Sequence, residues 1–155
     1  MTVGYTYNPN EVLLVIGKQP ITGFADGSQI AMPPNSSLYS TTYGSKNNNI
    51  PSFVRSKQLD VGAMLTFTLM INSPSNTFLS GLIVADKATG SGIVPFMLKA
   101  RTGVIASIAS GFGWVDKYID PSYSMGGDAP VREWEFFVAE YTQFEGGGTL
   151  PLVGV

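Results

Sequence analysis

The chain contains no cysteine and no histidine. The first absence removes disulfide frameworks and thiolate metal sites, so the redox state of the compartment leaves no mark on the sequence. Together the two absences remove Ser-His-Asp and Cys-His nucleophile systems and the common zinc sites. Charge is scarce as well: Asp, Glu, Lys and Arg make up 13 % of 155 residues, about half the ordinary share. A basic stripe is missing too. With a formal charge of −2 and a pI near 4.9, the chain does not resemble a protein that grips phosphates by displacing counterions. No apolar run approaches the ~18 residues of a membrane span. The opening MTVGYTYNPN has neither a basic nor an apolar signal region, so no secretory signal is expected.

Apolar residues reach 44 %, enough to build one core in a single domain over 1–155. Ser, Thr, Asn and Gly stand where a lone soluble monomer would place charges. That pattern fits a subunit that hides much of its surface against partners; a small, neutral-surfaced β domain is the plainer reading.

EVLLVIG (11–17) reads as a short buried strand, and the Gly17-Lys18-Gln19-Pro20 stretch turns it back toward a second strand at ITGF (21–24). Asp26-Gly27 marks a tight turn. Residues 31–53 then run without one acidic residue and with prolines at 33, 34 and 51. So long a polar connection in a compact domain is usually functional or disordered. Leu38, Tyr39, Tyr43 and Phe53 on it suit an arm that docks on a neighbour, because rigid amphipathic rings anchor interfaces well. A loop folded on its own domain is the alternative.

DVGAMLTFTLMIN (60–72) is the clearest strand: Val61, Ala63, Leu65, Phe67, Leu69 and Ile71 alternate on one face, with Gly62, Met64, Thr66, Thr68 and Met70 on the other. One helix is expected over about 74–89. Ser73 caps it, Pro74 opens it, Phe78, Leu79, Leu82 and Ile83 recur at helical spacing, and Gly90 ends it. Gly81 in its middle suggests close packing. Further strands are expected at 93–100, 102–110 and 113–119, and a long closing strand at 131–144 with Trp134, Phe136 and Val138 on one face and Glu133, Glu135 and Phe137 on the other. An apolar tail occupies 145–155. The class is α+β, mainly antiparallel: a sandwich or small barrel with one flanking helix and a long extended loop.

Catalytic and ligand signals are weak. TGSG (89–92) runs into a strand and lacks the Gly-Lys-Ser/Thr ending of a phosphate loop. Glu133 and Glu135 stand within the separation of paired glycosidase carboxylates, but any solvated strand face has that spacing. Asp116, Asp120 and Asp128 lack the order of a calcium loop. Trp114 and Tyr118 could stack on sugars.

VLLVIG, ITGFADGSQI, LTFTLMINSPSNTFLS, DKATGSGIVPFMLK and VREWEFFVAE, in this order, resemble tail tube proteins of bacteriophages with contractile tails. The strand running into SPSN and a short helix is the most specific element, followed by GFADG. The stretch after GFADG departs from that family's pattern in being almost uncharged. The resemblance implies a virion structural protein of the tail, assembled in the host cytoplasm, without enzymatic activity or cofactor. Six copies would form a ring, and rings would stack into a hollow tube through the arm and the terminal segments. Sheath, baseplate and tail terminator proteins would be its partners, and double-stranded DNA would pass the bore without specific binding. The bore-facing candidates are Gly62, Thr66 and Thr68, with Glu133 and Glu135 as second choice; a neutral or acidic wall repels phosphate. A tube subunit of a related injection particle, a carbohydrate-binding β-sandwich and a small glycosidase using Glu133 and Glu135 are the rivals.

Overall fold

The computed structural model describes residues 7–44, 52–102 and 105–147; the apolar stretch at 148–155 and the three asparagines at 47–49 lie outside them. A single 3₁₀ turn at Pro9–Glu11 leads into β1 (Leu13–Ile16), which pairs antiparallel with the two-residue β2 (Gln19–Pro20) across Gly17 and Lys18. Pro20 lacks an N–H but stands opposite Val15 where none is needed, and Ile21 beyond it donates to the Leu14 carbonyl at 2.8 Å. The strand expected at 21–24 does not form: only Phe24 makes an isolated bridge, to Leu69.

Among the described residues eight strands make two sheets. β3 (Tyr39–Gly44) and β4 (Ser52–Lys57) pair only with each other. β5 (Ala63–Met70), β6 (Val94–Thr102), β7 (Ile105–Val115) and β8 (Val131–Gly147) join the first hairpin in an antiparallel sheet of order β2-β1-β6-β7-β8-β5. This sheet curls into a half-barrel. One helix, α1 (Ser75–Thr89), packs on it.

The core follows from two alternations laid side by side. Ala63, Leu65, Phe67 and Leu69 of β5 are buried, and the register sets Val138, Phe136 and Trp134 of β8 opposite the first three. Leu79 and Ile83 of α1 close over them with Leu14, Ile16 and Phe96. Each buried Leu, Ile, Val or Phe among them contributes roughly 1.5–3 kcal/mol.

Helix α1 starts as its sequence dictates. The Ser73 hydroxyl accepts from the Ser75 N–H at 3.2 Å, satisfying one of the free donors of the first turn. The Ser75 hydroxyl in turn accepts from the Thr22 N–H at 3.0 Å, tying the helix to the segment after β2. Gly90 ends it in the left-handed region at φ 71°, donating to the Asp86 carbonyl. Gly81 is exposed, and a Cβ there would meet nothing within 4 Å, so the close packing expected at this position is absent. Gly81→Ala therefore gains helix propensity at no steric cost. It should raise unfolding free energy by about 0.5–1 kcal/mol in a urea titration.

Strand β7 is continuous where two strands were expected with a glycine turn between them. Gly111 and Gly113 lie inside it, where β8 makes a bulge: Phe112 pairs with Glu140 and Gly113 with Val138, leaving Ala139 unopposed. The extra residue keeps both Val138 and Tyr141 on the core side. It also brings β8 so near that a Cβ on Gly113 would overlap the Phe137 carbonyl and lie 2.7 Å from a Phe136 ring carbon. These glycines serve close approach of strands, not reversal.

The outer edge of β5 is covered. Met70 donates to the Gly23 carbonyl, Ala25 to Thr68, Ala31 and Thr66 exchange bonds of 3.0 and 2.8 Å, and Asn35 donates to Gly62. An irregular strap over 23–35 thus hides an edge that would otherwise pair with other chains. Residues 31–35 accordingly belong to the domain body, while the stretch read as an extended loop beyond them takes the form of the β3–β4 hairpin.

Candidate assembly surfaces

The β3–β4 hairpin leaves the body at a clamp. Gln58 donates to the Leu38 carbonyl at 2.9 Å, the Ser36 hydroxyl to the Asp60 carbonyl at 2.8 Å, and the Asp60 carboxylate accepts from the Asn35 amide at 3.3 Å and the Gly62 N–H at 3.1 Å. Beyond the clamp nearly every residue of both strands is exposed.

Directly opposed residues share a face, so the register (Tyr39↔Lys57, Thr41↔Arg55, Tyr43↔Phe53) puts rings and cations together. Ser40, Thr42, Val54 and Ser56 fill the other face. On the first, the Arg55 guanidinium lies 3.8 Å from the Tyr39 ring centroid, and Tyr43 and Phe53 meet at 6.4 Å. Leu38, Tyr43, Phe53 and Val54 are two-thirds or more exposed. All four arm residues singled out from the sequence therefore stand in solvent. Sequence reading passed over Val54, Arg55 and Lys57, and SFVRSK, with Phe53 and Val54 adjacent, carries no apolar alternation that would have signalled them. A two-stranded hairpin with no layer behind it is marginal in water, and uncovered apolar surface of this kind marks a contact site.

The second surface is the sheet face turned away from α1. The β5–β8 register sets Thr66 opposite Glu135 and Thr68 opposite Glu133, so the first-choice and second-choice bore residues form one patch. Gly62 stands apart, just before β5, where a Cβ would fall 2.5 Å from the Val138 carbonyl; it serves strand packing. Elsewhere on this face Trp114 stacks on Phe137 at 4.9 Å, and Phe112 is half exposed.

Near the last residues of β5 and the first of β8, Lys117, Tyr118, Asp120, Ser122, Val131, Glu133 and Glu135 line a groove of about 450 Å³. The 116–130 loop forms its wall and is held at its base. Asp116 donates its N–H to the Glu135 carbonyl at 2.9 Å, and Lys117 pairs with the Glu135 carboxylate at 3.2 Å. Arg132 is 5 % exposed; its guanidinium donates to the Ser122 carbonyl at 3.1 Å and lies 4.9 Å from the Tyr123 ring centroid. Carbonyl dipoles and a ring face thus replace water around a buried cation.

The rival sites do not gain from folding. Trp114 turns its ring to Phe137, while Tyr118 sits under Lys87, 5.2 Å from its ammonium. Glu135 is engaged by Lys117. Among the described residues no three carboxylates gather as a metal site, so Asp116, Asp120 and Asp128 are not brought together.

No family model and no curated protein matches the chain. Solved structures that share its fold include the two that follow. The tube-terminating cap of the anti-feeding prophage matches with TM-score 0.63 and 9 % identity, covering 93 % of this chain and 94 % of that one. The sheath/tube terminator of an extracellular contractile injection system, in its extended state, matches with TM-score 0.63 and 12 % identity, covering 92 % and 99 %.

Proposed function

We propose that the chain is a ring-forming structural subunit on the axis of a contractile tail or injection particle, and that its rings stack into the inner tube. The observation that carries this is the likeness of fold, over nine-tenths of the chain, to two components that end such tubes. The exposed hairpin supplies a contact that a solitary domain has no use for. In this reading six copies close a ring by head-to-tail contacts, as cyclic symmetry requires, and the hairpin reaches the next ring. The Thr66–Thr68 face lines the bore, with Glu133 and Glu135 toward its rim. The bore of a phage tail would then conduct double-stranded DNA past a wall that does not hold phosphate. Sheath would surround the tube, with baseplate and terminator at its ends, placing the protein in the virion tail.

A second reading is favoured by the descriptions of the two neighbours: a terminal ring that closes a tube rather than building it. Electron microscopy of the purified chain, concentrated to about 1 mM, separates the two. Long hollow tubes of stacked rings are the expected result. Single rings that never stack would favour the terminator, and a chain that stays monomeric would overturn both.

A further inference from the structure

The charge is unevenly divided. Between Gly27 and Leu59 the sequence holds Lys46, Arg55 and Lys57 and no acid, so six cations face eleven acids in the remainder. Arg55 and Lys57 share the aromatic face of the hairpin, and among the described residues neither has an ion-pair partner. The groove of Asp120, Glu133 and Glu135 carries the opposite sign, with Lys117 as the one cation among its lining residues and Lys87 over the Tyr118 ring.

The two surfaces lie at opposite ends of one strand. The hairpin clamp abuts the start of β5 at Gly62, and Glu133 pairs with Thr68 near its end. Six residues of extended chain separate them, roughly 20 Å, and no residue of the hairpin lines the groove of its own molecule. A second copy stacked head to tail along the strand direction can fill that groove.

We propose that the Tyr39/Tyr43/Phe53/Arg55/Lys57 face of the hairpin docks into the Asp120/Glu133/Glu135 groove of a second copy of this chain. The inference rests on the assembly reading above and names its contact. Arg55 and Lys57 meet the carboxylates, and the rings cover Tyr118 and Val131, which line the groove. Opposite charges on separate patches of one molecule favour the head-to-tail register and disfavour hairpin-to-hairpin pairing. Glu133 and Glu135 then belong to the contact between rings, and the bare bore wall is left to Thr66 and Thr68.

The test is self-association of the full chain measured by sedimentation velocity. Arg55→Glu with Lys57→Glu on one side, or Asp120→Lys with Glu133→Lys on the other, should each weaken association about tenfold or more. The four substitutions together should restore most of it, because the charges are exchanged rather than lost. Wild-type association should also weaken between about 50 and about 500 mM salt. Undiminished association in either half-reversed chain, no recovery in the combination, or indifference to salt would overturn the inference while leaving the assembly reading standing. So would binding of short duplex DNA that is lost with Arg55→Glu and Lys57→Glu while self-association persists. A wild-type chain that never self-associates would remove both.

Discussion

Excising residues 39–57 and joining Leu38 to Gln58 through two glycines should give a monomer that melts within about 3 °C of the full chain and does not assemble. The ends to be joined already touch, since Gln58 donates to the Leu38 carbonyl at 2.9 Å. The excised strands contribute no buried side chain to the core. The clamp at Asn35, Ser36 and Asp60 remains, and with it the strap that covers the edge of β5. A cut at 36–49, inside the polar stretch of 31–53, is the wrong experiment. It removes the Ser36 hydroxyl from Asp60 and takes β3 away from β4, leaving an unpaired strand. Tubes or rings of normal length from the 39–57 excision, seen in the electron microscope, would refute the role given to the hairpin. Loss of the cooperative melt would show instead that the hairpin belongs to the body.

How much of this was legible beforehand depended on whether a segment had one wet face and one dry one. β5 and β8 did, so Ala63, Leu65, Phe67 and Leu69 and, opposite them, Trp134, Phe136 and Val138 were assigned correctly to the core; Val61 and Ile71, expected on the same face, lie beyond the ends of β5 and are exposed, and Gly62, expected on the other face, is buried. Helix α1 announced itself through Ser73, Pro74 and Gly90. The hairpin did not: both faces of β3 and β4 meet solvent, so no apolar alternation rose above the background of Ser, Thr and Asn, and pairing of two segments with seven residues between them left no local trace. Gly111 and Gly113 misled for a related reason. A glycine in a turn and a glycine where two strands press together look the same in sequence, and only the bulge at Ala139 tells them apart. The acidic groove was half visible. Glu133 and Glu135 were singled out, but Asp120 and Lys117 join them only because the 116–130 loop folds back over β8, and the buried Arg132 that holds this loop gave no signal beyond its isolation among aromatics.

Trp134→Ala should cost about 3–5 kcal/mol of unfolding free energy, the range for removing a large buried aromatic. Against a total of roughly 5–15 kcal/mol, that is a large share of what keeps the chain folded. Trp134 is 1 % exposed, sits opposite Phe67, and donates its indole N–H to the Asn76 side-chain oxygen at 2.9 Å. The Asn76 amide nitrogen donates in turn to the Met70 carbonyl at 2.9 Å and the Ile71 carbonyl at 3.3 Å. One side chain thus ties β8 to the first turn of α1 and to the end of β5. Trp134→Phe keeps much of the packing but leaves the Asn76 oxygen without its donor, and should cost about 1–3 kcal/mol. Asn76→Ala, which removes the same bond from the other side, should add much less in the Trp134→Phe background than alone. Urea unfolding of the four chains decides it: a Trp134→Ala loss under about 1 kcal/mol, or strictly additive effects, would contradict this account of the core. The consequence reaches the surface, because Trp134 lies between Glu133 and Glu135 on one strand. Alternation turns the two carboxylates outward only while the indole is seated inward, so the residue that fixes the core also aims the groove.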